Sequence, residues 1–167
     1  MKPNLEYPIS SATSALNNYF VKNINEQETS LENFSISNDH PSNINDHEHP
    51  NLNIYPFLVN LAPDFQNVTR SDVRKPLKAY PLRLHFLLSA TGDHTKLVPH
   101  ILIDNAIKTV IERPLLEIEE YNYTLQMVLV PINTEESANI WTALKCSHRM
   151  SIVLSIDIAY KGSTDSS

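Results

Sequence analysis

Glycine and cysteine are nearly absent from this sequence. Of its 167 residues only Gly92 and Gly162 are glycine, whereas phosphate-binding loops and the Gly-x-Ser-x-Gly nucleophile elbow need clustered glycines. The single cysteine, Cys146, excludes an internal disulfide framework and every Cys-x-x-Cys metal or redox motif. No apolar run approaches the roughly 20 residues that a membrane-spanning helix requires. The composition therefore excludes proteins that depend on glycine-rich loops, on paired cysteines or on a membrane-spanning helix.

Negative charge is in excess and is unevenly distributed. The formal net charge of −6 disfavours a protein that coats nucleic-acid phosphates. Residues 1–50 contain two basic and seven acidic residues, a net charge of −5, which leaves −1 for the remainder. The first 20 residues are rich in serine and asparagine and contain no apolar signal core. We therefore expect a protein that is found in the cytoplasm of the producing cell.

Hydrophobic periodicity predicts an α+β fold. Apolar residues at helical spacing predict helices, and alternating or wholly apolar runs predict strands. The predicted helices are 9–22, 97–112 and 133–145, and the predicted strands are 80–90, 123–131 and 150–160, with a bent or edge strand at 52–62. Asn133 and Glu136 have the spacing of a capping box. We expect a single mixed or antiparallel sheet of four to five strands, packed by two or three helices.

The chain length predicts one domain, since domains typically contain about 100–200 residues. We assign residues 1–161 to this domain and residues 162–167 to a flexible polar tail. Residues 23–50 are the poorest in apolar side chains and are rich in asparagine, which is typical of a mobile loop insertion. Within them, Leu31, Phe34 and Ile36 permit one short strand.

The eleven-residue window 39–49 contains three candidate metal ligands, His40, His47 and His49, beside three carboxylates. Imidazole and carboxylate groups can bind zinc or nickel. The window has the composition of a loop, however, whereas a metal site needs a rigid scaffold with second-layer hydrogen bonds. The other candidates for chemistry are no stronger, because neither His85 nor His148 adjoins a tight turn that presents a serine. We therefore predict no enzyme activity and no cofactor, and keep weak metal binding as an alternative.

Two segments are candidates for contacts with other proteins. The first is a basic connection between predicted strands, and it contains Arg70, Arg74, Lys75 and Lys78. Four positive charges in a chain of net charge −6 favour a local docking patch over a nucleic-acid site. The second is the last predicted strand with the residue before it, from which the candidates are Arg149, Ser151, Val153, Ser155 and Asp157.

Several segments in combination resemble one known protein family. They are NIYPFLVNLAP at 53–63, YPLRLHFLLSA at 80–90, INTEE at 132–136, IWTAL at 140–144 and HRMSI at 148–152. Together they resemble the cap, or tail-terminator, family of extracellular contractile injection systems of the Photorhabdus virulence cassette and antifeeding-prophage type. The resemblance covers about residues 9–161. It departs from the family pattern at His148, where the family commonly has tyrosine.

The resemblance implies a structural cap that forms a six-fold ring on the distal end of the tube and sheath. Such a ring stops polymerisation and holds the last sheath layer extended. The implied partners are the sheath protein, the inner-tube protein and further copies of the chain, and strand addition is the expected mode of contact. Assembly would take place in the bacterial cytoplasm, before the particle is released. An adaptor or baseplate-associated role in the same particle is the alternative.

Overall fold

The computed structural model describes residues 7–27, 33–45, 49–61, 82–118 and 123–160. These residues form three α-helices and six β-strands. The helices are α1 (Pro8–Gln27), α2 (Val98–Glu112) and α3 (Thr134–Ala143). The strands are β1 (Ser35–Ser37), β2 (Asn51–Leu61), β3 (Leu82–Thr91), β4 (Leu115–Ile118), β5 (Tyr123–Val130) and β6 (Ser151–Tyr160).

The six strands form one mixed sheet in the order β1-β2-β3-β6-β5-β4. Only the β1–β2 pair is parallel, and all other neighbours are antiparallel. The last strand of the chain, β6, therefore lies in the middle of the sheet between β3 and β5. A β-bulge between Pro56 and Leu58 shifts the register of β2 against β3.

Helices α1 and α2 pack against one face of the sheet and form the main core with it. The apolar stripe of α1 contributes Leu16 and Phe20, and that of α2 contributes Leu102 and Ala106, all fully buried. Every second residue of β3 points into this core, including Phe86. The apolar side chains that recur every 3.6 residues in the helices thus pack against those that recur every two residues in the strands, and together they form one apolar layer.

Helix α3 packs against the opposite face, which we call the second face of the sheet. Its Trp141 is buried against Leu87 and Val153, which are paired across β3 and β6. The helix begins with the predicted capping box, in which the Asn133 side chain accepts from the Glu136 amide and the Glu136 carboxylate accepts from the Asn133 amide, both at 2.8 Å. The box satisfies amides that would otherwise lack partners at the start of the helix.

The α+β prediction is confirmed, and the predicted helices and strands lie within a few residues of the observed ones. The strand count differs, since six strands are present where four or five were expected. The additional strand β4 lies between the predicted helix 97–112 and the predicted strand 123–131, where we predicted no strand. The predicted 23–50 loop also contains the last turns of α1 and the short strand β1. No helix among the described residues is both long and apolar enough to cross a membrane.

Candidate functional site

Part of the second face is not covered by α3, and we call this part the open face. The registers of the adjacent strands β2, β3, β6 and β5 show which residues lie side by side on this face. The open face is formed by Leu58, Asn60, Arg83, His85, Gln126, Val128, Ser155 and Asp157. Along β3, β5 and β6 its members alternate with residues that point into the main core, which is the pattern of a sheet with one buried and one accessible face.

A bidentate ion pair lies at the centre of the open face. Arg83 Nε donates to Asp157 Oδ1 at 2.7 Å, and Arg83 Nη2 donates to Asp157 Oδ2 at 2.6 Å. The two residues are directly opposite each other in β3 and β6. Both side chains are about one-third exposed, at 32% and 30%. The pair fixes a planar polar surface on the sheet, because two parallel hydrogen bonds hold the guanidinium in the plane of the carboxylate.

His85 lies beside this ion pair, one cross-strand row away. Burial lowers the pKa of His85 below 6.5, the Arg83 charge lowers it further, and Asp157 acts in the opposite direction. The imidazole Nε2 lies 3.5 Å from Asn60 Nδ2, and the Phe57 ring is 6.3 Å away between centroids. His85 is therefore held largely neutral at pH 7, which makes the open face less charged than its residue types suggest.

Two exposed apolar side chains flank the polar centre. Leu58 is 45% exposed on the β2 side, and Val128 is 52% exposed on the β5 side. Both belong to the same cross-strand row as His85 and Ser155. A polar centre between apolar flanks has the mixed composition of surfaces that contact other proteins.

The arrangement does not provide a nucleophilic triad. Ser155 lies opposite His85, and Asp157 is two residues further along β6. Both oxygens of Asp157 accept from Arg83, so the carboxylate is oriented by the guanidinium and not by the imidazole. A triad requires the carboxylate to orient the imidazole. The open face is consequently suited to contact and not to acyl transfer.

The structure distributes the predicted β6 residues over several environments. Ser151 accepts a hydrogen bond from Trp141 Nε1 at 3.2 Å, Val153 is buried under α3, and Ser155 is 7% exposed. Asp157 is the member that is accessible on the open face. Because β6 has neighbours on both sides, its main chain has no free edge to which a further strand could be added. The participation of these residues in protein contacts stays a prediction.

Arg149 lies just before β6 and makes contacts within the chain. Its Nη1 donates to the Pro41 carbonyl at 2.7 Å, and its Nη2 donates to the Ile44 carbonyl at 2.8 Å. These bonds attach the segment before β2 to the start of β6. Arg149 therefore stabilises the position of this segment, a role that the sequence pattern did not indicate.

The remaining predicted residues are dispersed or lie outside the described ranges. Arg70, Arg74, Lys75, Lys78 and His47 belong to the latter group. His40 Nδ1 lies 2.7 Å from Ser42 Oγ, and its ring makes an edge contact with Tyr55, while His49 is exposed. Among the described residues, no group of three or more histidine, cysteine or carboxylate side chains is placed to hold a metal ion.

The sequence pattern did not identify the flanking residues of the open face. Leu58 and Val128 lie in segments that were predicted as strands, but strand order decides which residues become neighbours. The alternation around His85 was the available signal, since it marks the side chains that point away from the main core. Strand order could not be derived from it.

The Pvc16 N-terminal domain family model matches residues 11–166 of the chain. Two solved structures are also similar in fold. One is the sheath/tube terminator of an extracellular contractile injection system, PVC, in the extended state, with a TM-score of 0.64 at 12% identity. The other is the tube-terminating cap of the anti-feeding prophage, with a TM-score of 0.60 at 12% identity.

Each of these similarities covers nearly all of this chain but only part of the other chain. The alignments cover 95% and 92% of this chain, against 59% of the PVC terminator and 55% of the prophage cap. The chain therefore spans less than two-thirds of either structure. No curated protein sequence matches it.

Proposed function

Because the chain belongs to the Pvc16 N-terminal domain family, we propose that it is a structural cap, or tail terminator, of a phage-tail-like contractile injection particle. The observation that carries the proposal is its fold, which matches two proteins described as a sheath/tube terminator and a tube-terminating cap. In this role the chain sits on the distal end of the tube and sheath, ends their polymerisation and stabilises the extended sheath. An adaptor or baseplate role has no comparable support.

The physical task of a cap agrees with a protein that acts through its surfaces. Tubes and helical sheaths are head-to-tail assemblies, and they grow until a subunit without a propagating face occupies the end. A cap therefore needs one surface that matches the last layer and no matching surface on the other side. Its partners in this proposal are the sheath protein, the inner-tube protein and further copies of itself in a homohexameric ring. No substrate is converted.

The open face is the contact surface that we assign to this task. Its accessible side chains come from β2, β3, β5 and β6, and the Arg83–Asp157 pair gives it a fixed polar centre. Main-chain contacts by strand addition would instead use β1, β4 or the part of β2 that extends past β1. Of the candidates on β6, Asp157 is the residue whose side chain we assign to this contact.

In this proposal the chain is made in the bacterial cytoplasm, assembles there and leaves the cell as part of the particle. The test is electron microscopy of particles from cells with and without the gene. We expect overlong or uncapped tubes and sheaths without it, and normal particles when the gene is restored. Cylinders of normal length in the deletion would overturn the proposal, and missing baseplates would favour the adaptor role.

A second measurement addresses the metal-binding alternative. The purified chain is analysed for zinc and nickel, and the variant with His40, His47 and His49 all changed to alanine is tested for restoration of capped particles. A metal content well below one equivalent together with full restoration is expected for a cap. A stoichiometric metal that is lost in the triple variant, together with loss of function, would favour the metal alternative.

A further inference from the structure

Residues 38–45 cross the second face of the sheet, and we call them the strap. The strap follows β1, and its first part is bound to β2, because Asn53 Nδ2 donates to the Asp39 carbonyl at 3.1 Å. Its last part is bound near β6, because Arg149 donates to the carbonyls of Pro41 and Ile44. Since β3 lies between β2 and β6, the strap passes over the end of β3.

The end of β3 presents two buried hydroxyl groups on this face. Ser89 and Thr91 are only 1% and 2% exposed, and they lie opposite Asn53 and Asn51 in β2. Within the described part of the chain, neither Ser89 Oγ nor Thr91 Oγ1 has a hydrogen-bond partner. Burying an unpartnered hydroxyl opposes closure of the strap, because the group loses its bonds to water.

The strap itself is held mainly by polar contacts, beside the edge contact of the His40 ring with Tyr55. Asn38 Nδ2 donates to the Ile54 carbonyl at 2.8 Å and to Asn17 Oδ1 at 3.1 Å. Pro41 is its one buried residue among the described ones. By contrast, α3 is anchored on the same face by the buried Trp141 ring. Segments with few buried apolar contacts open at a low free energy compared with the core.

From these contacts we propose that the strap is a detachable element, and that Arg149 is the latch that keeps it closed. The guanidinium bonds two carbonyls three residues apart, so a single side chain fixes the turn between them. When the latch is released, the strap lifts off and Ser89 and Thr91 gain access to water or to a partner, while the main core beneath stays folded. This device is independent of the capping role.

Thiol labelling can measure this opening directly. Ser89→Cys and Ala90→Cys are prepared separately in a Cys146→Ser background. The two positions are adjacent in β3, and both are almost fully buried, but Ser89 lies on the second face, which the strap crosses, whereas Ala90 faces the main core. The labelling rate of each thiol with a soluble disulfide reagent is then measured in native buffer, with Arg149 intact and with Arg149→Ala.

We expect the Ser89→Cys thiol to react at least about tenfold faster than the Ala90→Cys thiol, because local opening precedes global unfolding. Arg149→Ala should accelerate the first thiol about tenfold further and leave the second unchanged, and Arg149→Lys should give an intermediate rate. Equal labelling of the two thiols, or equal acceleration of both by Arg149→Ala, would overturn the proposal. Lys96→Ala, a change at an exposed lysine, serves as the control and should alter neither rate.

Discussion

Arg83 and Asp157, 74 residues apart in sequence, form a bidentate ion pair across β3 and β6 on the open face. Each residue occupies a position that points away from the main core. The pair joins the cationic Arg83 and the anionic Asp157 on a surface that the three helices leave uncovered. It therefore gives the open face a defined geometry in the free chain, before any partner is bound.

The first prediction concerns the strength of this pair. Asp157→Asn and Arg83→Gln, made singly and together, should give a coupling free energy of about 0.5–1 kcal/mol, as expected for a bidentate pair that is partly exposed. The coupling should decrease in 1 M salt. Urea unfolding of the four proteins measures it. A coupling of zero at low salt would show that the pair has no energetic role.

How much of this structure is readable from the sequence depends on the type of element. The helices and the strands β3 and β6 are predicted because their apolar residues recur at one period, and β5 is predicted because its residues are mostly apolar. Helix α3 is also marked at its start by Asn133 and Glu136. Strand β4 is not predicted, because it contains only four residues, and its acidic surroundings are typical of a solvated loop. It becomes a strand because it pairs with β5.

The contact surface is predicted less well, and the reason is topological. Asp157 was identified from the alternation of β6, but its partner Arg83 depends on β3 being the neighbour of β6. The role of Arg149 depends on a segment more than 100 residues earlier, at Pro41. Relations of this kind are fixed by the sheet order, on which local periodicity carries no information.

The second prediction concerns the turn after β3. Gly92 has φ +143°, and an added Cβ would lie 2.7 Å from Val98 Cγ1. Gly92→Ala should therefore destabilise the chain by about 1–3 kcal/mol, through both backbone strain and this clash. Thermal unfolding measures the loss. Adding Val98→Ala to Gly92→Ala should remove the clash with Cγ1 but leave the strain of the positive φ at residue 92. A complete return to the stability of the native chain would therefore contradict the strain argument.

The third prediction concerns the residue that precedes α2. Leu97 has φ +56° and ψ 26°, a left-handed conformation that is unfavourable for a leucine, and its side chain is 56% exposed. Leu97→Asn should raise the free energy of unfolding by up to about 1 kcal/mol, because asparagine tolerates this conformation better. A higher melting temperature is the expected readout. A lower one would mean that the leucine side chain makes a necessary contact.

The fourth prediction concerns pH. Burial and the Arg83 charge hold the pKa of His85 below 6.5 in the folded chain. As the pH falls, His85 is therefore protonated at a higher pH in the unfolded chain than in the folded chain. The stabilisation from His85 is thus fully present above about pH 6.5 and is lost as the pH falls toward the lowered folded pKa. His85→Gln should weaken the decrease in stability between pH 7.5 and pH 5, measured by urea unfolding. His94→Gln, at an exposed turn, is the control, and an equal effect of both changes would contradict the assignment.

The fifth prediction connects the open face to capping. Val128→Lys places a charge on an apolar flank of the open face, where the side chain is 52% exposed, so the fold should tolerate it. If this face contacts the last layer of the tube or sheath, the new charge must be desolvated there, and caps should fail to bind.

Ile111→Lys is the matched control, because Ile111 is 67% exposed on α2, which covers the other face of the sheet. In cells that lack the native gene, the Val128→Lys chain should leave overlong or uncapped particles, whereas the Ile111→Lys chain should restore normal ones. Circular dichroism of the purified variants confirms that both are folded. The reverse pattern would place the contact on the helical side of the molecule, and restoration by both variants would exclude Val128 from the contact.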